Sequence, residues 1–169
     1  QYPYIKVEST KNALMDLAEY YRSLFDIKVV AITGSSGKTT TKDIVASVLS
    51  EKYNVLKTKG NFNNEIGLPH TIFNLDRTID VAVFEMGMNH FGEIHNLSKM
   101  AKPDICIITN IGSSHIEYLG SREGILKAKS EIFDFMKDDG YCILNGEDDL
   151  LKTVSSEKRK IIFYGTNCD

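Results

Sequence analysis

The stretch VVAITGSSGKTTTKD, residues 29–43, decides the fold of this chain. It begins within a predicted strand, Lys28 to Thr33, and passes through a turn of glycine and serine. A helical pattern follows from about Lys38 to Lys52. Strand, glycine turn and helix in this order are the signature of a phosphate-binding loop. The sequence therefore predicts a βα unit that binds the phosphates of a nucleotide.

The residue types of this loop suit an anion. Glycine lets backbone N–H groups turn towards a phosphate, the next helix points its positive end there, and Lys38 adds a cation. Thr39 can place its hydroxyl on magnesium. The motif has the short form G-x-x-G-K-T, because Ile32 stands where the longer form has a glycine. A plain strand-to-helix turn with an exposed lysine is the alternative. The predicted nucleotide-binding residues are Gly34, Ser35, Ser36, Gly37, Lys38, Thr39 and Thr40.

Length and charge narrow the class of protein. The 169 residues fit one domain, and the net charge of -3 comes from 20 basic and 23 acidic residues mixed along the chain. Without a basic block, no nucleic-acid partner is expected. The apolar runs are far shorter than the roughly 20 residues that span a bilayer, so we predict no membrane span. The three cysteines, Cys106, Cys142 and Cys168, lack metal-ligand spacing and are predicted to be reduced thiols of a cytoplasmic protein.

Short apolar runs alternate with helical patterns, which is typical of βαβ units. We predict an α/β fold of the P-loop type, a doubly wound and largely parallel sheet flanked by helices. The predicted strands are Lys28–Thr33, Tyr53–Thr58, Asp80–Met86, Ile105–Thr109, Tyr141–Leu144 and Ile161–Tyr164. The predicted helices are Thr10–Leu24 with a Ser9–Thr10 cap, Lys38–Lys52, a short helix from Leu68, Glu93–Met100, and Ser121–Met136 with Ser121 as its cap.

Polar segments follow three of these strands. They are Gly34 to Thr40, Glu85 to His90 and Asn110 to His115. In open parallel sheets, ligands bind outside the carboxyl ends of the strands. The sequence therefore predicts one site where these three segments meet.

Four later segments, together with the short loop, resemble the muramyl-peptide (Mur) ligase family. Within it they are most similar to the branch that adds D-alanyl-D-alanine to a UDP-linked muramyl tripeptide. The likeness runs from about Ile27 to Asp149. The four segments are GNFNNEIGLP (60–69), FEMGMNHFGEI (84–94), TNIGSSHIEYLGS (109–121) and KAKSEIF (127–133).

The resemblance implies amide-bond formation driven by ATP and Mg²⁺ in the synthesis of peptidoglycan precursors. A substrate carboxylate would attack the γ-phosphate, and an amine would then displace phosphate from the acyl phosphate. UDP-muramyl tripeptide and D-alanyl-D-alanine would be the substrates. Such chemistry depends mainly on positioning and charge neutralisation.

The resemblance also assigns roles to single residues. Glu85 is implied as a magnesium ligand and His115 as a ligand of a second magnesium. Lys129 aligns with a lysine that similar ligases carry as a carbamate, whose formation requires a neutral amine with a lowered pKa. With Lys38, both His115 and Lys129 are implied in catalysis, and Thr39, Glu85, His115 and Lys129 form the metal set. The implied substrate-binding residues are Asn61, Asn63, Asn64, Asn89 and His90.

The chain starts at Gln1 without a methionine, so a processed product, an expressed piece of a protein and a fragment are all open. The resemblance favours a fragment, because the family's UDP-binding domain and C-terminal domain are not found in the sequence. Residues 1–26 are expected to connect to an N-terminal substrate domain, and residues 27–169 to form a central ATP-binding domain that lacks its C-terminal end. Two alternatives are a nucleotide-binding module that regulates a partner, and a related ligase of the folylpolyglutamate or cyanophycin type. A pure switch has no need of Glu85, His115 and Lys129 together.

Overall fold

The computed structural model describes residues 2–166 of the chain, in one six-stranded parallel sheet. The spatial order of the strands is β2-β3-β1-β4-β5-β6. This is the predicted α/β architecture. The strands are β1 Lys28–Thr33, β2 Val55–Lys57, β3 Val81–Glu85, β4 Ile105–Ile108, β5 Tyr141–Asn145 and β6 Lys160–Tyr164. The helices are α1 Thr10–Ser23, α2 Lys38–Ser50, α3 Gly67–Ile72, α4 Glu93–Ala101, α5 Ile116–Leu119 and α6 Arg122–Ser130, with 3-10 turns at Glu131–Phe133 and Leu151–Thr153.

Serine caps begin two of the helices, as predicted. The Ser9 hydroxyl accepts a hydrogen bond from the Asn12 N–H, 3.3 Å away, and the Ser121 hydroxyl accepts one from the Gly124 N–H at 3.2 Å. Each cap satisfies an N–H that has no partner within its helix. Helix α2 differs, because it starts at Gly37 without a side-chain cap.

The prediction of one helix over Ser121–Met136 is wrong. Helix α6 ends at Ser130, and the chain tightens into the 3-10 turn Glu131–Phe133. The turn aims the Glu131 carboxylate away from its own helix and onto the start of α4. The short helix α5 lies in a segment that the sequence indicated as loop. A four-residue helix is too short to show a hydrophobic period.

Both faces of the sheet are buried, as expected for a parallel sheet between helices. In β1, Val29 and Ala31 belong to the larger hydrophobic cluster, whereas Val30 and Ile32 belong to the smaller one, against α2. Helix α1 packs on α3 and α4. The buried Cys106 and Cys142 are free thiols, as predicted, and Cys168 lies outside the described residues. Between residues 2 and 166, no helix is both long and apolar enough to cross a membrane.

Candidate functional site

The loops after β1, β3 and β4 meet at one edge of the sheet, because β1 pairs with β3 on one side and with β4 on the other. Two backbone hydrogen bonds hold them together: the Ser35 N–H donates to the Asn110 carbonyl, and the Met86 N–H donates to the Ile32 carbonyl near the end of β1. A third, from the Gly87 N–H to the Asn63 carbonyl, adds the loop after β2. The predicted meeting of polar segments at the carboxyl edge is therefore confirmed.

The loop after β4 braces the phosphate loop. The Asn110 side-chain oxygen accepts from the Ser36 N–H at 3.0 Å, and the Thr109 hydroxyl donates to the Ser36 carbonyl at 2.6 Å. The Ser35 hydroxyl accepts from the Gly112 N–H at 2.9 Å. Two loop amides, those of Ser35 and Ser36, are thus engaged within the protein. The amides at the start of α2 remain to meet an anion.

Glycine is required at two positions of this loop. A Cβ atom on Gly34 would lie 1.8 Å from the Thr109 hydroxyl oxygen, which is far closer than atoms approach. Gly37 has a φ of 77°, in the left-handed region that other residues rarely adopt. These glycines let the chain turn beside β4 and enter α2 with its first N–H groups facing outwards.

The start of α2 has the features of an anion site. Its first N–H groups have no partners within the helix, and no side chain caps them. The Lys38 ammonium group donates to the Gly34 carbonyl at 2.9 Å, so it folds back over the loop. Burial lowers the pKa of Lys38, and the nearby charge of Glu85 opposes that shift. Thr39 and Thr40 are exposed in the first turn of the helix.

Glu85 is a buried carboxylate with an open oxygen. It ends β3 with 2% of its surface exposed. Its Oε1 accepts a hydrogen bond from the Asn63 amide at 2.9 Å, but its buried Oε2 has no hydrogen-bond partner. The nearest cation is the Lys42 ammonium group, 3.8 Å from Oε2. A buried carboxylate oxygen without a hydrogen bond is costly, and an oxygen-seeking cation would satisfy it.

Lys129 is also buried, with 2% of its surface exposed. Removal from water and, as the second cause, the positive charge of Lys38 together lower the pKa of Lys129 from 10.5 to about 7. The amine is therefore substantially neutral near neutral pH. A neutral amine is what the formation of a carbamate on Lys129 requires.

A cleft of about 220 Å³ contains Lys38 and Lys129, and Glu85 adjoins it only through its hydrogen-bond partner Asn63. The cleft does not include all of the predicted substrate residues: Asn61 lies in a separate cleft of about 670 Å³ against β2 and α3, and the exposed His90 packs its ring on Tyr118. The oxygen of Asn64 accepts the N–H groups of Ile66 and Gly67 at the start of α3. The cleft is lined by Lys38, Asn63, Asn64, Gly87, Met88, Asn89, Glu93, His115 and Lys129.

Protein side chains alone do not complete a metal site here. Within the described part of the chain, no three His, Cys, Asp or Glu side chains come together in a way that could hold a metal ion. His115 lines the cleft from the start of α5, where its φ of 66° turns the chain. Any metal bound in this cleft would need further oxygen ligands from a bound substrate, a hydroxyl or a modified side chain.

Sequence reasoning missed three residues of the site. Lys42 is buried beside Glu85, Glu93 lines the cleft, and Glu131 accepts the N–H groups of Gly92 and His95 at the start of α4. For Lys42 a signal existed, since a lysine four residues after Lys38 lies on the same face of α2. No local pattern could reveal Glu131, because its partners lie 36 and 39 positions away.

Comparison with known proteins gives the family. Residues 32–169 match the model of the Mur ligase middle domain. The chain is 48% identical over 165 residues to the UDP-N-acetylmuramoyl-tripeptide--D-alanyl-D-alanine ligase of Bacillus subtilis strain 168. That alignment covers 98% of this chain but 36% of the relative. The chain thus spans about a third of the relative's length.

Comparison with solved structures gives the same family. MurF from Acinetobacter baumannii superimposes with a TM-score of 0.93 at 39% identity, covering 98% of this chain and 37% of that one. MurF from Thermotoga maritima, solved in complex with ADP, gives 0.90 at 38% identity, covering 96% of this chain and 38% of that one. Each neighbour contains this fold as one part of a longer chain.

Proposed function

Because this chain belongs to the Mur ligase family, as a middle domain, we propose that it is the ATP-using centre of a ligase that adds D-alanyl-D-alanine to UDP-N-acetylmuramoyl tripeptide. One observation supports this most. The phosphate-loop lysine, Lys38, lines the same cleft as a buried lysine of lowered pKa, Lys129, and lies within the field of the open carboxylate of Glu85. A regulatory nucleotide switch has no need of Lys129. The two described thiols, buried and free, suit the cytoplasm.

The reaction would take place in two steps. The substrate carboxylate attacks the γ-phosphorus of ATP, forming a new O–P bond while the bond to the β-phosphate oxygen breaks and ADP leaves. The amine, in its neutral form, then forms the C–N bond and loses a proton to water, and inorganic phosphate leaves with the C–O bond electrons. The open amides of α2 and the Lys38 ammonium would hold the phosphates. Lys129 would line the opposite wall, beside the transferred group.

The residues present fit magnesium. Glu85 offers a buried oxygen without a hydrogen bond, and Thr39 offers an exposed hydroxyl in the first turn of α2. Both are hard oxygen donors of the kind that Mg²⁺ prefers. Bound there, magnesium would neutralise phosphate charge. His115 would contribute to a second ion, although imidazole alone suits softer metals and brings no negative charge.

A carbamate on Lys129 would supply the missing charge. It forms when a neutral amine attacks carbon dioxide and loses a proton, which makes a C–N bond and leaves an anionic oxygen. The lowered pKa of Lys129 provides the neutral amine. Lys38, which carries the opposite charge to a carbamate, lies close enough to influence Lys129. Asn63, Asn64 and Asn89 line the same cleft and would contact the substrates there. His90 would contact them from outside this cleft, and Asn61 from the separate cleft of about 670 Å³.

The test compares this chain with the complete gene product that contains it. Phosphate release is measured with UDP-muramyl tripeptide, D-alanyl-D-alanine and ATP. We expect ligation by the complete product and none by this chain alone, because catalysis requires all reactants to be positioned together. Failure of the complete product to ligate would refute the proposed function. Turnover by the chain alone at the rate of the complete product would show that the domain is self-sufficient.

A further inference from the structure

Glu93 occupies the wall between two clefts. It lies in the first turn of α4 and lines both the cleft of about 220 Å³ that contains Lys38 and Lys129 and an adjoining cleft of about 250 Å³. Its side chain keeps 28% of its surface exposed. A ligand in either cleft can therefore reach this carboxylate.

The charges around Glu93 are unevenly distributed. Of the side chains described as lining the smaller cleft, Glu93 is the acidic one, and Lys38 and Lys129 line the same cleft. The adjoining cleft contains one more carboxylate, Glu65, which is already engaged by an ion pair with Lys11 and a hydrogen bond from the Asn96 amide. Glu93 lines both clefts and has no lysine partner among the described residues, so it can pair with a positively charged ligand.

Glu93 is held in place as an anion. Its Oε2 accepts the Asn89 N–H at 2.7 Å, and its Oε1 lies 3.2 Å from the Nδ1 of His90. Burial by itself would raise the pKa of Glu93, but these hydrogen bonds outweigh it and lower the pKa. The helix start is fixed in turn by Glu131, whose carboxylate accepts the Gly92 N–H at 2.9 Å. The carboxylate is presented by a rigid element.

The proposed reaction has to bring a primary amine into this cleft. A primary amine is an ammonium ion in neutral solution, and a carboxylate attracts it. We propose that Glu93 is the carboxylate that binds the ammonium group of a substrate and orients it in the cleft. This inference rests on the proposed function, and it assigns the part of the site that receives the amine.

Two substrates could provide the ammonium group. One is the attacking amine of D-alanyl-D-alanine, and the other is a side-chain amine on the third residue of the tripeptide. The chemistry at Glu93 is the same for both. Separate KM values for the two substrates tell them apart.

The experiment uses the complete gene product with Glu93→Gln. Glutamine keeps an oxygen to accept the Asn89 N–H and removes only the charge. We expect KM to rise about tenfold for one substrate, the loss of one charge-assisted contact, while kcat changes little. Glu117→Gln is the matched control, because Glu117 is exposed on α5 and does not line the cleft.

The arms of the experiment have distinct outcomes. A rise in KM for D-alanyl-D-alanine identifies the attacking amine. A rise for a lysine-containing tripeptide, absent with norleucine at that position, identifies the side-chain amine. If both KM values of Glu93→Gln equal those of Glu117→Gln, or if only the melting temperature falls, Glu93 does not bind ammonium. Ligation by the complete gene product without substitutions is measured separately, and it tests the proposed function.

Discussion

Two buried carboxylates at opposite edges of the sheet are held in different ways. Asp104 lies at the amino end of β4 with 7% of its surface exposed. It accepts the Val29 N–H at 2.9 Å and the ammonium groups of Lys137 and Lys28 at 2.7 and 3.2 Å. Burial alone would raise the pKa of Asp104, but hydrogen bonds from Lys137, Val29 and Lys28 lower it. This carboxylate joins β1, β4 and the segment before β5.

Glu85, at the carboxyl end of β3, is buried more deeply but has fewer partners. One of its oxygens accepts from Asn63, and the other has no hydrogen bond. Lys129 on the same side is a buried amine whose pKa is lowered to about 7 by burial and by the positive charge of Lys38. Charges that are satisfied stabilise the fold, whereas charges left open cost stability and are retained for a ligand. The amino edge is built for stability and the carboxyl edge for binding.

Among the variants that test this contrast, Lys129→Met is expected to have the largest effect on stability. Methionine has a similar length and no charge, so it should raise the free energy of unfolding at pH 7 by on the order of 3 kcal/mol. The folded pKa of about 7 is below the unfolded value near 10.4, so the unfolded chain binds more protons between them. Stability of the parent should therefore rise from about pH 7 to 10, and the variant should lack that rise. Urea unfolding of this chain in buffer free of carbon dioxide measures both.

Lys127→Met is the matched control for this experiment. Lys127 lies on the same helix, with its ammonium group 5.8 Å from the centre of the Phe91 ring, and should shift stability by less than about 1 kcal/mol. If Lys129→Met is less stable than the parent at pH 7, the lysine is held by favourable contacts. The proposed poised amine would then be wrong.

The prediction with the next largest effect compares the two carboxylates directly. Asp104→Asn should lower the free energy of unfolding by about 2 kcal/mol, because it removes a charge that two lysines and a backbone N–H share. Glu85→Gln should change it by less than about 1 kcal/mol, since one of its oxygens has no hydrogen bond to lose and Lys42, 3.8 Å from that oxygen, keeps Asp43 as a partner at 3.6 Å. Chemical unfolding at pH 7 measures both variants.

Acid unfolding provides a second readout for Asp104. Its folded pKa is depressed, so its stabilisation is present above its unfolded pKa near 3.9 and is lost as the pH falls through the lower folded value. The parent should lose this contribution on acidification, and Asp104→Asn should not. Equal destabilisation by Asp104→Asn and Glu85→Gln would remove the distinction between the two edges.

The sequence predicted the carboxyl edge better than the contacts that support it. Gly34, Gly37 and Lys38 lie within one short motif, and the ends of parallel strands must share an edge, so local order was enough to place the loop. Lys129 was identified by family likeness, and its burial gives that prediction a physical basis. For Asp104, local sequence predicts no role. Its role depends on Val29 and Lys137, which are 75 and 33 positions away.

Helix ends were less predictable for the same reason. The pattern from Ser121 continues in helical period to Met136, but the chain leaves the helix after Ser130 because Glu131 bonds across to α4. A tertiary hydrogen bond decides the boundary, and single-sequence patterns do not contain it.

The smallest effect on stability is expected from Lys38→Ala, although its effect on binding should be complete. The variant loses one hydrogen bond to the Gly34 carbonyl, and it also removes a partly buried ammonium whose pKa burial has lowered. These two terms oppose each other, so the free energy of unfolding should change by less than about 1 kcal/mol. We expect millimolar ATP with magnesium to stabilise the parent against heat, because a ligand that binds only the native state raises its stability, and we expect this stabilisation to disappear in the variant. Lys57→Ala, which removes an exposed lysine paired with Asp43, should keep that stabilisation.

Lys38→Ala should also raise the pKa of Lys129, since the neighbouring positive charge is gone. If the variant melts far below the parent yet is still stabilised by ATP, Lys38 stabilises the fold and does not bind the nucleotide. The contrast between the two edges of the sheet would then be wrong.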